Sequence, residues 1–395
     1  MKARIGILFF ILSASSSLAA GNEFPQCLAG LQEQAREARV APWIVDEVVP
    51  ALEPQARVLE LDRKQPEFVQ TFAGYLNARV TQARVDKGRA LYQRHREFLD
   101  QLQRQYGIPG QYLVAFWGLE TNFGSYLGTM PTLDSLATLA CDPRRSAFFT
   151  TEFIAALQLM ERENLQPEQL RGSWAGAVGH TQFMPSSYLR YAVDGDGDGK
   201  VNLWQSERDA IASGANFLEQ LGWTTGLRWG REVTLPAEFR FDTVGAGKER
   251  PLVEWARLGV RRSDGSPLPT APVEASLLLP AGAAGPAFLV YANFEVIMRW
   301  NRSESYGLAV GYLADRIAGG GTLKRPPPTD QQPLSREKVK VVQRQLNELG
   351  FPAGPEDGIF GSGTRSALSA FQLARGLVAD GYPDNDSLQR LGVSP

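Results

Sequence analysis

One carboxylate stands among apolar residues in the segment from residue 113 to residue 124, which has the spacing of a helix. Three apolar residues precede Glu120 at helical intervals and should share its face: Leu113, Phe116 and Trp117. Because burial penalises the charged form of a carboxyl group, we expect the pKa of Glu120 to be raised, which suits a general acid. Gly124 would end this helix. A glutamate that caps a neighbouring helix or pairs with an arginine is the structural alternative.

A second group of carboxylates, in residues 194–209, follows the pattern of a calcium loop. Oxygen ligands at positions 1, 3 and 5 and a backbone carbonyl at position 7 would come from Asp194, Asp196, Asp198 and Lys200. Position 12 carries Gln205 instead of the bidentate glutamate, so Asp209 is the candidate for the closing ligand. Carboxylates this close repel one another without a cation. The pattern predicts a structural Ca²⁺ site, and a solvated Asp-Gly turn is the alternative.

Residues 172–188 combine glycines and small residues with uncharged polar side chains. Small residues around Trp174 permit close backbone approach, and Ser173 and Gln182 carry the neutral donors and acceptors that a carbohydrate groove presents. A tightly packed turn accounts for the same spacing equally well.

Several classes of protein are excluded by what the chain lacks. His95 and His180 are its only histidines, which argues against a two-histidine metal site. No Gly-x-Ser-x-Gly elbow occurs, and the Gly-Ala-Gly-Lys at 245–248 lacks the spacing of a phosphate loop. The formal net charge is −2, without a dense basic run, so nucleic acid is not an expected partner.

The N-terminus has the form of a secretory signal over residues 1–20. A basic start precedes a short apolar run and a small-residue stretch, and the run is shorter than the roughly 20 residues that span a bilayer. The first cysteine, Cys27, does not directly follow the small residues, so we expect no lipid anchor and a soluble periplasmic protein. Export would allow a disulfide between Cys27 and Cys141, with two free thiols as the alternative.

The order of patterns predicts a mainly helical α+β chain in two parts. Helical spacing dominates the first part, short β-like runs between turn residues indicate a small sheet within 233–289, and helices return after residue 292. Glycines and prolines at 319–333 indicate a linker, and 334–395 should form a separate small unit that moves independently.

Four motifs occur together in the chain: the run Trp117 to Gly124, the segments Gly172 to Ala177 and Gln182 to Tyr188, the acidic loop with Asn202-Leu203-Trp204, and Asn293-Phe294 followed by Trp300-Asn301. Taken together, they resemble the membrane-bound lytic transglycosylase B family over residues 24–318. The resemblance implies a lysozyme-like catalytic domain at 21–318 with a small β part and the calcium loop. It also implies cleavage of the β-1,4 bond between N-acetylmuramic acid and N-acetylglucosamine, leaving 1,6-anhydromuramyl ends, without a cofactor for the chemistry.

The same resemblance assigns roles to individual residues. Glu120 would be the sole catalytic acid and base. Trp300 and Phe217 stand where the family often has tyrosines, so they would stack on sugars without donating a hydrogen bond. The other residues expected to line the groove are Ser173, Gln182, Asn301 and Tyr306.

The C-terminal unit is similar to the small three-helix peptidoglycan-binding domain. Partners implied for the whole chain are peptidoglycan glycan strands, with penicillin-binding proteins or other cell-wall enzymes beside them, and the chain is expected to be a monomer. A hydrolytic muramidase and a non-catalytic wall-binding protein are the alternatives. The residues that carry this similarity are Gln343, Leu346, Asp357-Gly358, Gly361, Thr364, Ala367-Leu368, Phe371-Gln372 and Asp380-Gly381.

Overall fold

The computed structural model describes residues 23–63, 70–241 and 248–394. The predicted secretory signal at 1–20 lies outside the described residues. Within the described ranges, none of the helices is both long and apolar enough to cross a membrane.

Helices dominate the chain, as predicted, and the strands are short. The helices are α1 (Glu23–Glu37), α2 (Ala56–Arg63), α3 (Phe72–Arg79), α4 (Gln82–Arg94), α5 (Arg96–Tyr106), α6 (Gly110–Thr121), α7 (Thr132–Ala140), α8 (Ser146–Arg162), α9 (Pro185–Tyr191), α10 (Glu207–Gln220), α11 (Leu252–Arg257), α12 (Ala292–Trp300), α13 (Glu304–Ile317), α14 (Arg336–Glu348), α15 (Ser362–Ala374) and α16 (Asn385–Arg390). The strands are β1 (Met130–Pro131), β2 (Arg171–Gly172), β3 (Gly230–Thr234), β4 (Arg250–Pro251), β5 (Arg261–Arg262), β6 (Glu274–Leu278) and β7 (Ala287–Val290).

The chain divides into two compact units, of which the first holds Gly128–Val178, Gln182–Arg190 and the described residues up to Arg63. Helices α7 and α8 form its core around buried Phe149 and Phe153. A disulfide joins Cys27 of α1 to Cys141, the residue that ends α7. The bond joins residues 114 positions apart and lowers the conformational entropy of the unfolded chain. In the chain-entropy model this raises the free energy of unfolding by about 5 kcal/mol.

The second unit, which holds the described residues of 64–127, 179–181 and 191–395, is built around α6. Residues 112–118 of this helix are buried on every side, which is typical of a central helix. The predicted helix end at Gly124 is wrong by three residues, because the helix ends at Thr121 and Asn122 adopts the left-handed conformation that caps it. Asparagine tolerates this conformation better than most residues with a side chain.

The predicted small sheet is present in this unit. It has five antiparallel strands in the order β4-β6-β7-β3-β5. One of its faces packs around Trp255, a fully buried residue of α11 whose indole N–H donates to the carbonyl of Ala275 at 2.9 Å.

Helices α14, α15 and α16 form the small C-terminal unit, with Val342, Leu368 and Phe371 in its core. Two buried glutamines brace its turns. Gln343 accepts the N–H of Gly358 at 2.9 Å, and Gln372 accepts the N–H of Gly381 at 2.7 Å. This pairing explains why glutamine is placed inside an apolar core, where an unpaired amide would be costly.

The C-terminal unit contacts earlier parts of the second compact unit, and its independent motion stays a prediction. Asp380 Oδ2 accepts the N–H of Ala283 at 2.7 Å, and Arg365 lies 3.8 Å from the carboxylate of Glu304. The linker is held as well, since the N–H groups of residues 324 and 325 both donate to the carboxylate of Glu232 at 3.0 and 2.9 Å. Glycine and proline content indicated the linker, but it could not reveal these long-range contacts.

Candidate active site and acidic loop

Glu120 lies in the last turn of α6, half-buried at the wall of a small apolar cavity. The helical spacing read from the sequence places its carboxyl group beside Leu113, Phe116 and Trp117, all of which line this cavity. Glu120 is the one ionisable side chain among the nine lining residues. The others are Leu113, Phe116, Trp117, Thr181, Ala210, Ile211, Gly214 and Trp300.

Tyr306 contacts the carboxylate directly, because its hydroxyl donates a hydrogen bond to Glu120 Oε1. The tyrosine is only 4% exposed and stands in the first turn of α13, where the Ser303 hydroxyl accepts its backbone N–H at 3.3 Å. A donor at the carboxylate stabilises its charged form, whereas the apolar wall stabilises the protonated form. The group is therefore placed between two influences that favour opposite protonation states.

An aromatic wall stands beside this pair. Trp300 stacks on Phe116 of α6, with ring centroids 4.3 Å apart and planes at 27°. Phe217 of α10 packs behind Trp300 at 5.1 Å, and Tyr191 packs on Phe217 at 4.7 Å. The structure thus brings Glu120, Trp300 and Phe217 into one cluster, although the aromatic residues lie far from Glu120 in the sequence.

Asn301 follows Trp300 directly and ends α12. Its side-chain Oδ1 accepts the N–H of Ser303 at 3.1 Å, which shapes the short connection to α13. The residue therefore stands at the start of the turn that places Tyr306.

Ser173 and Gln182 belong to the first unit, where both lie in tight turns. The hydroxyl of Ser173 accepts the N–H of Ala177 at 3.0 Å, and its own N–H donates to the Ala177 carbonyl at 2.8 Å. Gln182 has a φ of 49°, in the left-handed region that non-glycine residues seldom adopt. The predicted turn-like character of this segment is thus present in the structure.

In the acidic loop, carboxylate oxygens of Asp194, Asp196 and Asp209 all lie within 4.8 Å of one another. Asp194 accepts the N–H groups of Gly199 and Gly197 at 2.8 and 2.6 Å, and these bonds lower the pKa of its carboxyl group. Three hard oxygen donors that converge in this way fit Ca²⁺.

The other two residues predicted as ligands lie in the same loop, outside that cluster. Asp198 Oδ1 accepts the N–H of Lys200 at 2.8 Å, so its carboxylate braces the loop backbone. Lys200 could offer only its backbone carbonyl to a cation, as position 7 of such a loop does.

Asp209 is 1% exposed and closes the loop from the first turn of α10. Its two carboxylate oxygens accept the N–H of Gly195 at 2.9 Å and the N–H of Asn202 at 2.7 Å. The carboxylate therefore joins both ends of the loop to the helix that continues, at residues 210, 211 and 214, into the cavity wall beside Glu120.

Sequence reasoning missed several residues of the cavity. Thr181, Ala210, Ile211 and Gly214 line it but carry no chemistry that would single them out. The last three share one face of α10, and their helical spacing directly after the acidic loop was the available signal.

Two family models match the chain. Residues 23–315 match the model described as transglycosylase SLT domain. Residues 335–391 match a model described as peptidoglycan binding domain.

Individual proteins are similar over long stretches. Membrane-bound lytic murein transglycosylase B of Escherichia coli K12 is 34% identical over 245 residues, which cover 60% of this chain and 65% of that relative's length. The crystal structure of SltB3 from Pseudomonas aeruginosa in complex with NAG-anhNAM-pentapeptide matches with a TM-score of 0.89 at 41% identity, covering 94% of this chain and 99% of that one. The Escherichia coli lytic transglycosylase Slt35 in complex with calcium matches with a TM-score of 0.64 at 30% identity, covering 75% and 92%.

Proposed function

Since the chain belongs to the SLT-domain family of transglycosylases, we propose that it is a peptidoglycan lytic transglycosylase. It cleaves the β-1,4 bond between N-acetylmuramic acid and N-acetylglucosamine and leaves a 1,6-anhydromuramyl end, for turnover or remodelling of the cell wall. The observation that carries the proposal is a single carboxylate, Glu120, in the wall of an otherwise uncharged cavity with the Tyr306 hydroxyl bonded to it.

The number of carboxylates decides which chemistry is favoured. Ordinary glycosidases place two carboxyl groups about 5 to 9.5 Å apart on either side of the bond, one of them to act as nucleophile or to activate water. Glu120 is the one carboxylate among the nine residues that line this cavity. A reaction in which the sugar supplies its own nucleophile therefore fits this site better than hydrolysis does.

In the first step, protonated Glu120 donates its proton to the glycosidic oxygen as the bond from C1 of the muramyl residue to that oxygen breaks. The apolar wall formed with Phe116 and Trp117 favours the protonated form of the acid, which is the form that can give its proton to a substrate oxygen. The muramyl N-acetyl group, or dipoles of the groove, stabilise the positive charge that develops at C1.

In the second step, the Glu120 carboxylate takes the proton from the muramyl 6-hydroxyl as O6 forms a bond to C1. The Tyr306 hydroxyl, bonded to Oε1, stabilises the Glu120 carboxylate between the two steps. The proton that Glu120 gave to the leaving group is thereby replaced, and no water is consumed.

The groove residues divide into stacking and polar contacts. Trp300 offers a ring face beside Glu120, and Phe217 supports that ring from behind without a hydroxyl of its own. Asn301 and Tyr306 supply polar groups at the turn between α12 and α13. Ser173 and Gln182 stay sequence-based predictions of glycan contacts.

The acidic loop is proposed to hold a structural Ca²⁺ through Asp194, Asp196 and Asp209, with Asp198 and the carbonyl of Lys200 as further donors. Bound calcium would neutralise the mutual repulsion of these carboxylates and stabilise the loop. Its effect on the reaction is indirect, because α10 runs from Asp209 to the cavity wall.

The remaining parts of the proposal concern location and assembly. Residues 1–20 would direct the chain to the periplasm, where the Cys27–Cys141 bond can persist. The catalytic domain would span 21–318, followed by the linker 319–333 and a peptidoglycan-binding domain at 334–395 that holds the enzyme, as a monomer, on glycan strands. Penicillin-binding proteins or other cell-wall enzymes are proposed as its partners.

Replacement of the acid tests the proposal. Glu120→Gln is nearly isosteric but cannot supply the acidic proton, so we expect release of muropeptides from sacculi to fall below detection while Tm stays close to that of the parent. Glu97→Gln makes the same change on an exposed face of α5 and should keep full activity. If Glu120→Gln kept activity within a few-fold of the parent, Glu120 would not be the catalytic acid.

A further inference from the structure

His180 accepts hydrogen bonds from two residues of α6, the helix that carries Glu120. The indole N–H of Trp117 donates to His180 Nδ1 at 2.8 Å, and the Thr121 hydroxyl donates to the His180 carbonyl at 3.1 Å. These residues lie three before and one after Glu120 in α6. These two hydrogen bonds, one on each side of Glu120, restrict rotation of α6 about its own axis.

The same histidine is bonded to the acidic loop. Its backbone N–H donates to the Leu203 carbonyl at 2.8 Å, and its ring donates to the backbone of Trp204. The neighbouring residue Gly179 lies so close that a Cβ there would come within 2.6 Å of the Leu203 oxygen. Asn202, next in the loop, is itself bonded to Asp209.

The imidazole ring of His180 is closely packed, and both of its nitrogens take part in hydrogen bonds. Because Nδ1 accepts from Trp117, the proton of the neutral ring is on Nε2, which is free to donate to the loop. A Cβ at Gly124 would come within 2.1 Å of the His180 Cε1 atom, so the ring lies directly on that backbone. Burial lowers the pKa of His180, which keeps it neutral.

We propose that His180 is a positioning residue: it joins the acidic loop to α6 and thereby fixes where the Glu120 carboxyl group meets the glycosidic oxygen. The inference rests on the proposed function of Glu120. Loss of the His180 bonds on either side, to α6 or to the acidic loop, would let α6 shift relative to α10, whose residues also line the cavity.

The expected signature is a loss of kcat with little change in KM. Positioning matters at the reacting atoms, where a displacement of about 1 Å can cost on the order of a hundredfold in rate, whereas the aromatic surfaces that bind sugar stay in place. His180→Phe keeps a ring but removes both nitrogens, so we expect kcat on a soluble glycan to fall by about ten- to a hundredfold.

Two more conservative substitutions test separately the bond of the His180 ring to Trp117 of α6 and its bond to Trp204 of the acidic loop. His180→Asn retains an acceptor near the position of Nδ1 for Trp117, and His180→Gln retains a donor near the position of Nε2 for Trp204. Each should recover part of the kcat that His180→Phe loses. If neither recovers any, and kcat falls only in step with Tm, the residue is structural and the inference fails.

Trp255→Phe is the matched control for general destabilisation. It removes an indole N–H bond of similar length from an equally buried residue of α11, whose hydrophobic cluster is separate from the one that contains α6. We expect a lower Tm and an unchanged kcat at a temperature where the variant is folded. The same result for His180→Phe would contradict a positioning role.

A double-mutant cycle tests the bridge itself. Because Trp117→Phe and His180→Phe break the same bond, the double variant should lose no more kcat than the worse single variant. Losses that multiply would overturn the inference. A parent enzyme that releases no muropeptides would instead refute the proposed function, so the two failures are distinguishable.

Discussion

At the scale of single residues, the proposed reaction depends on a pair of residues that lie far apart in the sequence. Tyr306 and Glu120 are 186 positions apart and come from different helices, yet the hydroxyl and the carboxylate are bonded. Hydrogen bonds to charged groups contribute about 1.5 to 3 kcal/mol. The tyrosine therefore matters most in the step during which Glu120 is ionised.

Tyr306→Phe removes this donor and keeps the ring. We expect kcat to fall by roughly ten- to a hundredfold, in line with the loss of one charge-assisted bond. Tyr312→Phe is the control, since it removes a hydroxyl of the same helix, one that accepts a hydrogen bond from Arg316 at 3.0 Å. Equal kcat values for the two variants would show that the Tyr306 hydroxyl does not act on Glu120.

Both histidines give the protein a defined dependence on pH. Burial lowers the pKa of His180 and of His95 below the ordinary value of 6.5. Below pH 6.5 the unfolded chain therefore binds more protons than the folded one, so stability is fully present above this pH and is lost as the pH falls through the folded pKa values.

We expect Tm to drop between pH 7.5 and pH 5, and to drop less in His180→Phe, which has one titrating group fewer. Thermal unfolding across this range measures the effect, with each variant compared to its own value at pH 7.5. An identical drop in the parent and in His180→Phe would mean that His180 does not titrate in this way.

The position of Glu120 among apolar residues was predictable from the sequence, but the hydrogen bonds around it were not. The apolar stripe before Glu120 required only local spacing, and the aromatic positions Trp300 and Phe217 came from resemblance to a family. The bonds of Tyr306 and His180 depend on how distant segments pack, and no local pattern encodes them. His180 in particular entered the sequence argument only as evidence against a metal site.

At the scale of elements, the acidic loop and α10 act together. The buried carboxylate of Asp209 bonds to both ends of the loop, and the helix that it begins lines the cavity. The spacing of the aspartates in the loop at 194–209 predicted a calcium-binding pattern from the sequence alone. The closing role of Asp209 toward backbone N–H groups, in contrast, became visible only in the folded chain.

Calcium should raise Tm and a chelator should lower it, because a ligand that binds the native state stabilises it by mass action. In the double variant Asp194→Ala/Asp196→Ala we expect Tm to be insensitive to calcium. Asp264→Ala, at another exposed turn, should leave the calcium response intact. A calcium response that survives the double variant would place the ion elsewhere.

The longer strands could be predicted from the sequence, but the shortest ones could not. The longer runs that became β3, β6 and β7 alternate or are rich in apolar residues, so a sheet was predictable. Strands β4 and β5 have two residues each, too few for any periodicity, and they gain their place by pairing with β6 and β3. Tertiary pairing created these elements.

At the scale of the whole molecule, the C-terminal unit is an attached part of the second compact unit. Its contacts involve Asp380 with Ala283, Arg365 with Glu304, and the linker residue Gln331, whose amide donates to the Ala281 carbonyl at 3.0 Å. A glycan bound to this unit would therefore have a set orientation toward the catalytic region, beyond the raised local concentration that any tether provides.

Removal of residues 334–395 should lower the Tm of what remains and reduce activity on both sacculi and short soluble glycans. The physical reason is that the N–H of Ala283 loses Asp380 and the carbonyl of Leu279 loses Arg365 as hydrogen-bond partners. Calorimetry of the full chain should correspondingly show no separate transition for this unit. A truncated chain with unchanged Tm and unchanged turnover of soluble glycans would favour a loosely tethered module.

The most direct test of the whole account is the fate of water in the reaction. Sacculi are digested by the purified protein in water enriched in ¹⁸O, and the released muropeptides are analysed by mass spectrometry. Because O6 of the muramyl residue is the proposed nucleophile, the products should carry anhydro ends, lighter by one water than reducing ends, and no ¹⁸O. Reducing ends labelled with ¹⁸O would show that water attacks C1, and would contradict a single-carboxylate lytic mechanism.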